Sequence, residues 1–403
     1  MYLSREEEKI LEGESGEGFA TAMKLLVALG DMFDADKLID VSRAHWAVSG
    51  QEGDLFFAER LANFGAKTTV PTTTNPAWDI SLKDIFNVKV SDYELSLLDR
   101  TIAASDKLGV IKSFSCTPYL YKDVPKMGEH VAFSESSATP YINSVYGAMT
   151  NRESSSSALA SGVIGKTPNY GLHLKENRTP NVSVSVNFKI KNDFDLGLLG
   201  WYLGEILKPD DVPFIEGIDT EPSPEALRDF GAMINTSGAV SLFHMENFTP
   251  EAKSVKEPST WIKGEQKIIV NEEDINLLKK KFSSSSGKIN SVYMGCPHST
   301  IEEIIKVNNL LGERKVKEDV KFLIFTSATN MKILGEANLK KLAGKGVYVL
   351  RDSCVDEPVF KFTEGGLGVT NSLKAAYYRK RRNQEFVITS IENCVEASVR
   401  GYI

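Results

Sequence analysis

The sequence predicts an α/β protein of several subdomains, built on parallel, doubly wound sheets. From about residue 266 to 350, short β-branched and apolar runs alternate with helical stretches, the pattern of strands joined by crossover helices. With 403 residues the chain is too long for one simple core. Three subdomains are expected: an N-terminal α/β unit over 1–125, a loop-rich central one over 126–262 and a C-terminal α/β unit over 263–403. The composition, 42% apolar and 25% charged, is that of a globular chain.

The elements follow in order. Ser4 and Glu7 have capping-box spacing and open a helix, and residues 19–29 are good helix formers. Residues 56–63 read as a short helix closed by Gly65, and 68–71 as a strand entering a polar turn over 72–76. Ser91 and Glu94 repeat the capping-box spacing and start a helix reaching about Lys107. The β-branched and aromatic run 110–114 reads as a strand leading to Cys116. Residues 128–180 are rich in Ser, Gly, Thr and Asn with little hydrophobic periodicity, the character of functional loops. A strand is expected over 182–190, a helix from Pro224, and a strand over 238–245. The regular region then predicts strands at 267–270, 291–294, 320–326 and 347–350. Helices at 271–281, 299–311 and 330–343 separate them. A last helix carries Cys394.

Several function classes are set aside. The net charge of −7 gives no electrostatic reason for nucleic acid or an anionic membrane as partner. Arg379-Lys380-Arg381-Arg382 runs against that sign and reads first as a solvated face. No stretch has the roughly 20 apolar residues of a membrane span, and the acidic start has no signal-peptide layout. A cytoplasmic protein is expected. Four cysteines are too few for a disulfide scaffold, so they are free thiols, metal ligands or nucleophiles.

Cys116, Cys296 and Cys354 each lie just past the end of an expected strand. Ligands of open α/β sheets bind beyond the carboxyl ends of strands, so three distant cysteines can converge there. One cysteine alone is more often a small buried hydrophobe; three in equivalent positions point to a shared metal site. No Cys-x-x-Cys pair is present, which argues against a zinc ribbon or a ferredoxin-type cluster. Cys394 reads as packing.

Glu135-Ser136-Ser137-Ala138, Asn143 to Ala148 and Thr150-Asn151-Arg152-Glu153 together resemble the central signature of the aconitase X family. Gly165 to His173, Leu242-Phe243-His244-Met245, Thr249 to Ala252 and Gly295-Cys296-Pro297-His298 extend the resemblance towards Cys394. It implies an aconitase-like fold and a hydro-lyase. Within that family, Thr74-Asn75-Pro76 and Arg152-Glu153 are similar to the archaeal phosphomevalonate dehydratases rather than to the cis-3-hydroxy-L-proline dehydratases. Two loops depart from the archaeal form: Ser154-Ser155-Ser156 replaces a Gly-Gly-Pro, and His45 to Gly50 is an altered His-x-x-Gly-Val-Ser.

The resemblance implies dehydration of (R)-5-phosphomevalonate for isoprenoid synthesis. An amino-acid dehydratase of the hydroxyproline type is the alternative, and a cluster-free, non-catalytic binding protein a second. It implies that Cys116, Cys296 and Cys354 hold an iron–sulfur cluster of the 4Fe-4S type. Glu135 and Ser136 become the catalytic and substrate-lining pair. Ala47, Val48, Ser49, Asn75, Pro76 and Lys374 become substrate contacts, the first three through backbone N–H groups. Lys374 and the basic run 379–382 are expected to supply charge to the phosphate end. In relatives a small swivelling domain completes the site. As this chain ends at Ile403, a separate small subunit is the expected partner.

Overall fold

The computed structural model describes residues 1–48, 52–120, 124–283 and 285–403. Caps set where many helices begin. Ser4, Ser91 and Thr300 each accept the N–H three residues on, and a glutamate there reaches back to the cap. These caps open the helices Arg5–Glu12, Asp92–Leu108 and Ile301–Leu311.

The N-terminal part is built round a three-stranded parallel sheet in the order Thr72–Thr74, Ala44–Trp46, Ala132–Phe133. Helices Glu17–Met32, Glu52–Asn63, Asp92–Leu108 and Ser155–Ile164 pack around it, burying Met23, Leu61, Leu108 and Leu159 with Trp46. A second sheet, also parallel, runs His244–Met245, Pro213–Glu216, Val182–Asn187, Gln266–Asn271. Val182, Val184 and Val186 share one face of it by the two-residue period and bury against helices Asp193–Ile206 and Pro224–Gly238.

The C-terminal sheet is wholly parallel, in the order Val347–Arg351, Lys321–Thr326, Ser291–Met294, Leu367–Thr370, Glu385–Ile388. Alternation along its strands divides two cores. Val292, Met294, Phe322 and Ile324 face helices Ile301–Leu311 and Ile391–Arg400. Tyr293, Leu323 and Phe325 face the larger core shared with the second sheet. Burial on both faces is what a parallel sheet covered by crossover helices requires.

The regular region therefore folds as its alternation predicts, except that its first strand, Gln266–Asn271, joins the second sheet. Other expectations need correction. The expected turn over 72–76 contains the strand Thr72–Thr74, and 68–71 forms none. The run 110–114 is no strand: Ile111 makes one bridge to Thr73, and Phe114 has φ +40°. The strand expected over 238–245 shrinks to His244–Met245, because Ala239 caps the preceding helix in the left-handed region. The single helix expected over 330–343 is two, Ala328–Leu334 and Glu336–Gly344, parted at Gly335 with φ +79°. The supposedly loop-rich middle contains the helix Ser155–Ile164 and a π-turn at Ile142–Tyr146. Cys394 lies fully buried in the core between the C-terminal helices and sheet, as packing.

Candidate active site

Strand register positions the first half of the site. His45 pairs with Thr73 on one side and Phe133 on the other. Two residues further along each chain stand Ala47, Asn75 and Glu135, and all three line a cavity of about 900 Å³. The C-terminal sheet supplies the other half from its own carboxyl ends. Cys296 follows the strand ending at Met294, Cys354 the one ending at Arg351, and Lys374 the one ending at Thr370. Two parallel sheets thus turn the same ends to one cavity. Gly295 makes the turn into Cys296: its φ is +96°, and an added Cβ would collide with the Phe325 carbonyl oxygen.

Glu135 and Lys374 form the charged centre. Glu135 is 7% and Lys374 4% exposed, so neither is a surface group. Lys374 Nζ lies 3.0 Å from Glu135 Oε1 and donates to Ser136 Oγ at 2.8 Å. The Ser136 hydroxyl donates in turn to Glu135 Oε1 at 3.1 Å. Asn75 Nδ2 donates to Glu135 Oε2 at 2.6 Å, and the Ser137 N–H donates to Oε1 at 3.1 Å. Burial pushes the Glu135 carboxyl up, but the Lys374 charge and these donors outweigh it and hold the group down at about 2. The same pairing keeps the Lys374 ammonium charged against its own burial.

Cys116, Cys296 and Cys354 line this cavity together. Cys116 follows no strand. Its run is tied by Ser113 and Ser115 to the strand Thr72–Thr74, which brings it to the site. The His298 N–H donates to Cys116 Sγ at 3.2 Å. Burial pushes the thiols of Cys116 and Cys296 up to about 12 and raises Cys354 as well, so each keeps its hydrogen unless a cation displaces it. Among the described residues no group of three His, Cys, Asp or Glu side chains is gathered tightly enough for a single metal ion. A multi-iron cluster needs its thiolates spread further apart. The donor set fits one: three thiols face one cavity, with an N–H directed at one sulfur and the Lys374 charge favouring thiolate at Cys116 and Cys296.

The remaining expected contacts divide. Asn75 and Pro76 line the cavity. Ala47 and Val48 also line it, but their N–H groups are engaged within the chain. Ala47 donates to Ser134 Oγ at 2.8 Å and Val48 to the Trp46 carbonyl at 3.1 Å, so the expected anion donors are already committed. Ser49 lies outside the described residues. The basic run is a solvated face only in part: Lys380 and Arg381 are exposed and Arg382 half-buried. Arg379 is fully buried, bonded to Gln384 and Thr363 with its guanidinium over the Tyr293 ring. Arg381 and Arg382 reach the cavity but pair with Asp356. Lys374 is taken by Glu135. Arg152, from the Thr-Asn-Arg-Glu stretch, is the cavity-lining cation that has no partner among the described residues.

Three profiles of one family match the chain in succession: Aconitase X first domain over residues 1–176, Aconitase X second domain over 180–279 and Aconitase X third domain over 289–400. The chain belongs to the aconitase X family. It is 34% identical to the phosphomevalonate dehydratase large subunit of Thermococcus kodakarensis, over 98% of this chain and 99% of that one. To the phosphomevalonate dehydratase large subunit of Methanocaldococcus jannaschii it is 36% identical, over 94% and 95%. The cis-3-hydroxy-L-proline dehydratase of Hypocrea jecorina is 28% identical, over all of this chain and 69% of its own length. The crystal structure of Thermococcus kodakaraensis aconitase X in its holo-form superposes with a TM-score of 0.89 at 32% identity, over 99% of this chain and 100% of that one. The expected aconitase-like α/β fold holds, and this aconitase X chain is a hydro-lyase. Its described residues include no helix long and apolar enough to cross a membrane.

Two residues of this aconitase X site went unassigned in the sequence. His45 opens the altered His-x-x-Gly-Val-Ser stretch, and nothing local shows that it reaches Asn75. Arg152 lies inside the Thr-Asn-Arg-Glu stretch, and its importance emerges only once the other cations are found paired.

Proposed function

We propose that the chain is the large subunit of a cytoplasmic iron–sulfur hydro-lyase that dehydrates (R)-5-phosphomevalonate to trans-anhydromevalonate 5-phosphate, in a mevalonate route to isoprenoids. The observation that carries this reading is the meeting, on one cavity, of three cysteine thiols, an ionised carboxylate–lysine pair and an uncommitted arginine. Its volume, about 900 Å³, suits a small acid.

Cys116, Cys296 and Cys354 would hold the cluster, of the 4Fe-4S type, which when bound supplies Lewis acidity towards a leaving hydroxide. The chain's own residues do the rest. Glu135, ionised at neutral pH, accepts a hydrogen bond or a proton and has none to donate. Ser136 lies between the Lys374 ammonium, which steadies charge on its oxygen, and the carboxylate, which accepts its hydrogen. This trio binds and orients the hydroxy-acid end. Arg152 offers its guanidinium to the phosphate, for which planar, forked donors are suited. The base that removes the substrate's proton is assigned to a small swivel-domain subunit; that relatives of this length are named large subunits supports such a partner.

The test offers (R)-5-phosphomevalonate and cis-3-hydroxy-L-proline, without oxygen, to the reconstituted chain with its small subunit. Water loss from the phosphorylated acid is expected. Turnover of the imino acid alone would replace this reading with a hydroxyproline dehydratase, and full activity without the small subunit would remove the partner.

A further inference from the structure

We propose that His45 is a positioning residue: as the neutral Nε2–H tautomer it fixes the Asn75 amide and, through it, the orientation of Glu135. This rests on the reading of Glu135 as a site residue given above. Glu135 Oε2 and the Asn75 amide nitrogen are 2.6 Å apart. The carboxylate, ionised beside Lys374, has no hydrogen to give, so the amide must turn an N–H to it. That choice directs Asn75 Oδ1 at His45 Nε2, 2.8 Å away, and an amide oxygen only accepts. Nε2 therefore carries the hydrogen.

The other ring nitrogen, Nδ1, lies 2.7 Å from Thr73 Oγ1, whose hydroxyl rotates freely enough to donate to it. Among the described residues no carboxylate bonds the ring, which is fully buried and packs against Phe133 with centroids 5.7 Å apart. Burial disfavours the imidazolium and pushes the group down to about 4. Each polar atom in the line then has one role: Thr73 O–H to Nδ1, Nε2–H to Asn75, Asn75 N–H to Glu135. The backbone repeats the linkage, since Ser134 Oγ accepts from the Ala47 N–H and donates to the His45 carbonyl, both at 2.8 Å. The terminal torsion of an asparagine is broad and roughly two-fold. Without the ring donor, the amide can turn its oxygen towards Glu135, setting two acceptors against each other and loosening the carboxylate.

His45→Phe keeps a ring in the pocket and removes the donor; His45→Gln restores an N–H near the place of Nε2. In the reconstituted two-subunit holoenzyme, His45→Phe should lower kcat about 10–100-fold, the usual cost of losing an orienting partner, with KM changed far less. His45→Gln should recover most of that loss. An unchanged kcat in His45→Phe, or no recovery in His45→Gln, would overturn the assignment. Nitrogen-15 NMR of histidine-labelled wild type reads the tautomer directly, the chain having five histidines and His45→Gln identifying the resonance. A neutral Nε2–H pattern between about pH 6 and 8 is expected; an Nδ1–H or imidazolium pattern refutes it, even where the phenylalanine variant fails to fold. A wild type that dehydrates neither substrate would sink the functional reading alone, and the tautomer would still judge His45.

Discussion

Lys374→Met keeps the side chain's length and removes its charge, so it isolates the buried pair with Glu135. In wild type the Glu135 carboxyl falls from 4.5 to about 2: burial pushes it up, and the Lys374 charge, Asn75 and Ser137 overcome that. At about 1.4 kcal/mol per unit, the drop is worth on the order of 3 kcal/mol, in line with the roughly 3–5 kcal/mol lost when one partner of a buried pair is removed. The folded carboxyl binds its proton less readily than the unfolded one. Its contribution is therefore complete above 4.5 and lost as pH falls through about 2. In the variant the opposing charge is gone, and burial, the largest influence, is set only against the Asn75 and Ser137 donors; the folded carboxyl is expected to titrate above the unfolded one. That reverses the dependence: the Glu135 contribution is greatest below 4.5 and declines as pH rises. Between about pH 5 and 8, wild type neither gains nor loses from Glu135, while the variant weakens, so the gap between them widens. Denaturant titrations followed by tryptophan fluorescence at both pH values measure the gap, and adding Glu135→Gln to Lys374→Met should narrow it. Equal stability at the higher pH, or a gap that closes with rising pH, would refute the ion-pair reading.

Three further outcomes are expected. Serine at Cys116, Cys296 or Cys354 should reduce bound iron to background in the anaerobically reconstituted protein, while Cys394→Ser retains iron; metal analysis and visible absorption decide. Arg152→Ala should raise KM for the phosphorylated acid about tenfold or more, the scale of a hydrogen bond to a charged group, yet shift unfolding by less than about 0.5 kcal/mol; steady-state kinetics and denaturation check both halves. Gly295→Ala, forced into a positive φ against the Phe325 carbonyl, should lower both thermal midpoint and iron content, which calorimetry and metal analysis report together.

Part of this architecture is written locally. Capping boxes at Ser4 and Ser91 mark their helix starts, and the alternation from 291 to 351 gives three strands of the C-terminal sheet nearly to the residue. The strands that build the site are two or three residues long, too short to show a period, and they exist because three distant segments pair. Helix Ser155–Ile164 hides for another reason: nearly every face of it is buried, so it has no polar stripe to set against an apolar one. The meeting of Cys296 and Cys354 could be anticipated from their places just past strands, whereas Cys116 follows no strand and reaches the cavity through the bonds of Ser113 and Ser115 to Thr74. The burial of Arg379 could not be anticipated, since its partners Gln384, Thr363 and Tyr293 meet it only in three dimensions. His45 depends on register: its side chain matters because the strands beside it carry Asn75 and Glu135 two steps on.

The two halves of the cavity come from distant parts of the chain. Lys374 meets Glu135 across 239 positions, and the His298 N–H meets Cys116 Sγ across 182. During synthesis the segments of the N-terminal sheet, with Glu135 and Cys116, leave the ribosome before anything that will stand opposite them. The missing cation and the other two thiols leave the ribosome only with the last third of the chain. Closing spans of that length is entropically unfavourable and slow. Assembly of the cavity is thus among the final events of folding, and iron delivered to the nascent chain before then would find one thiol of three.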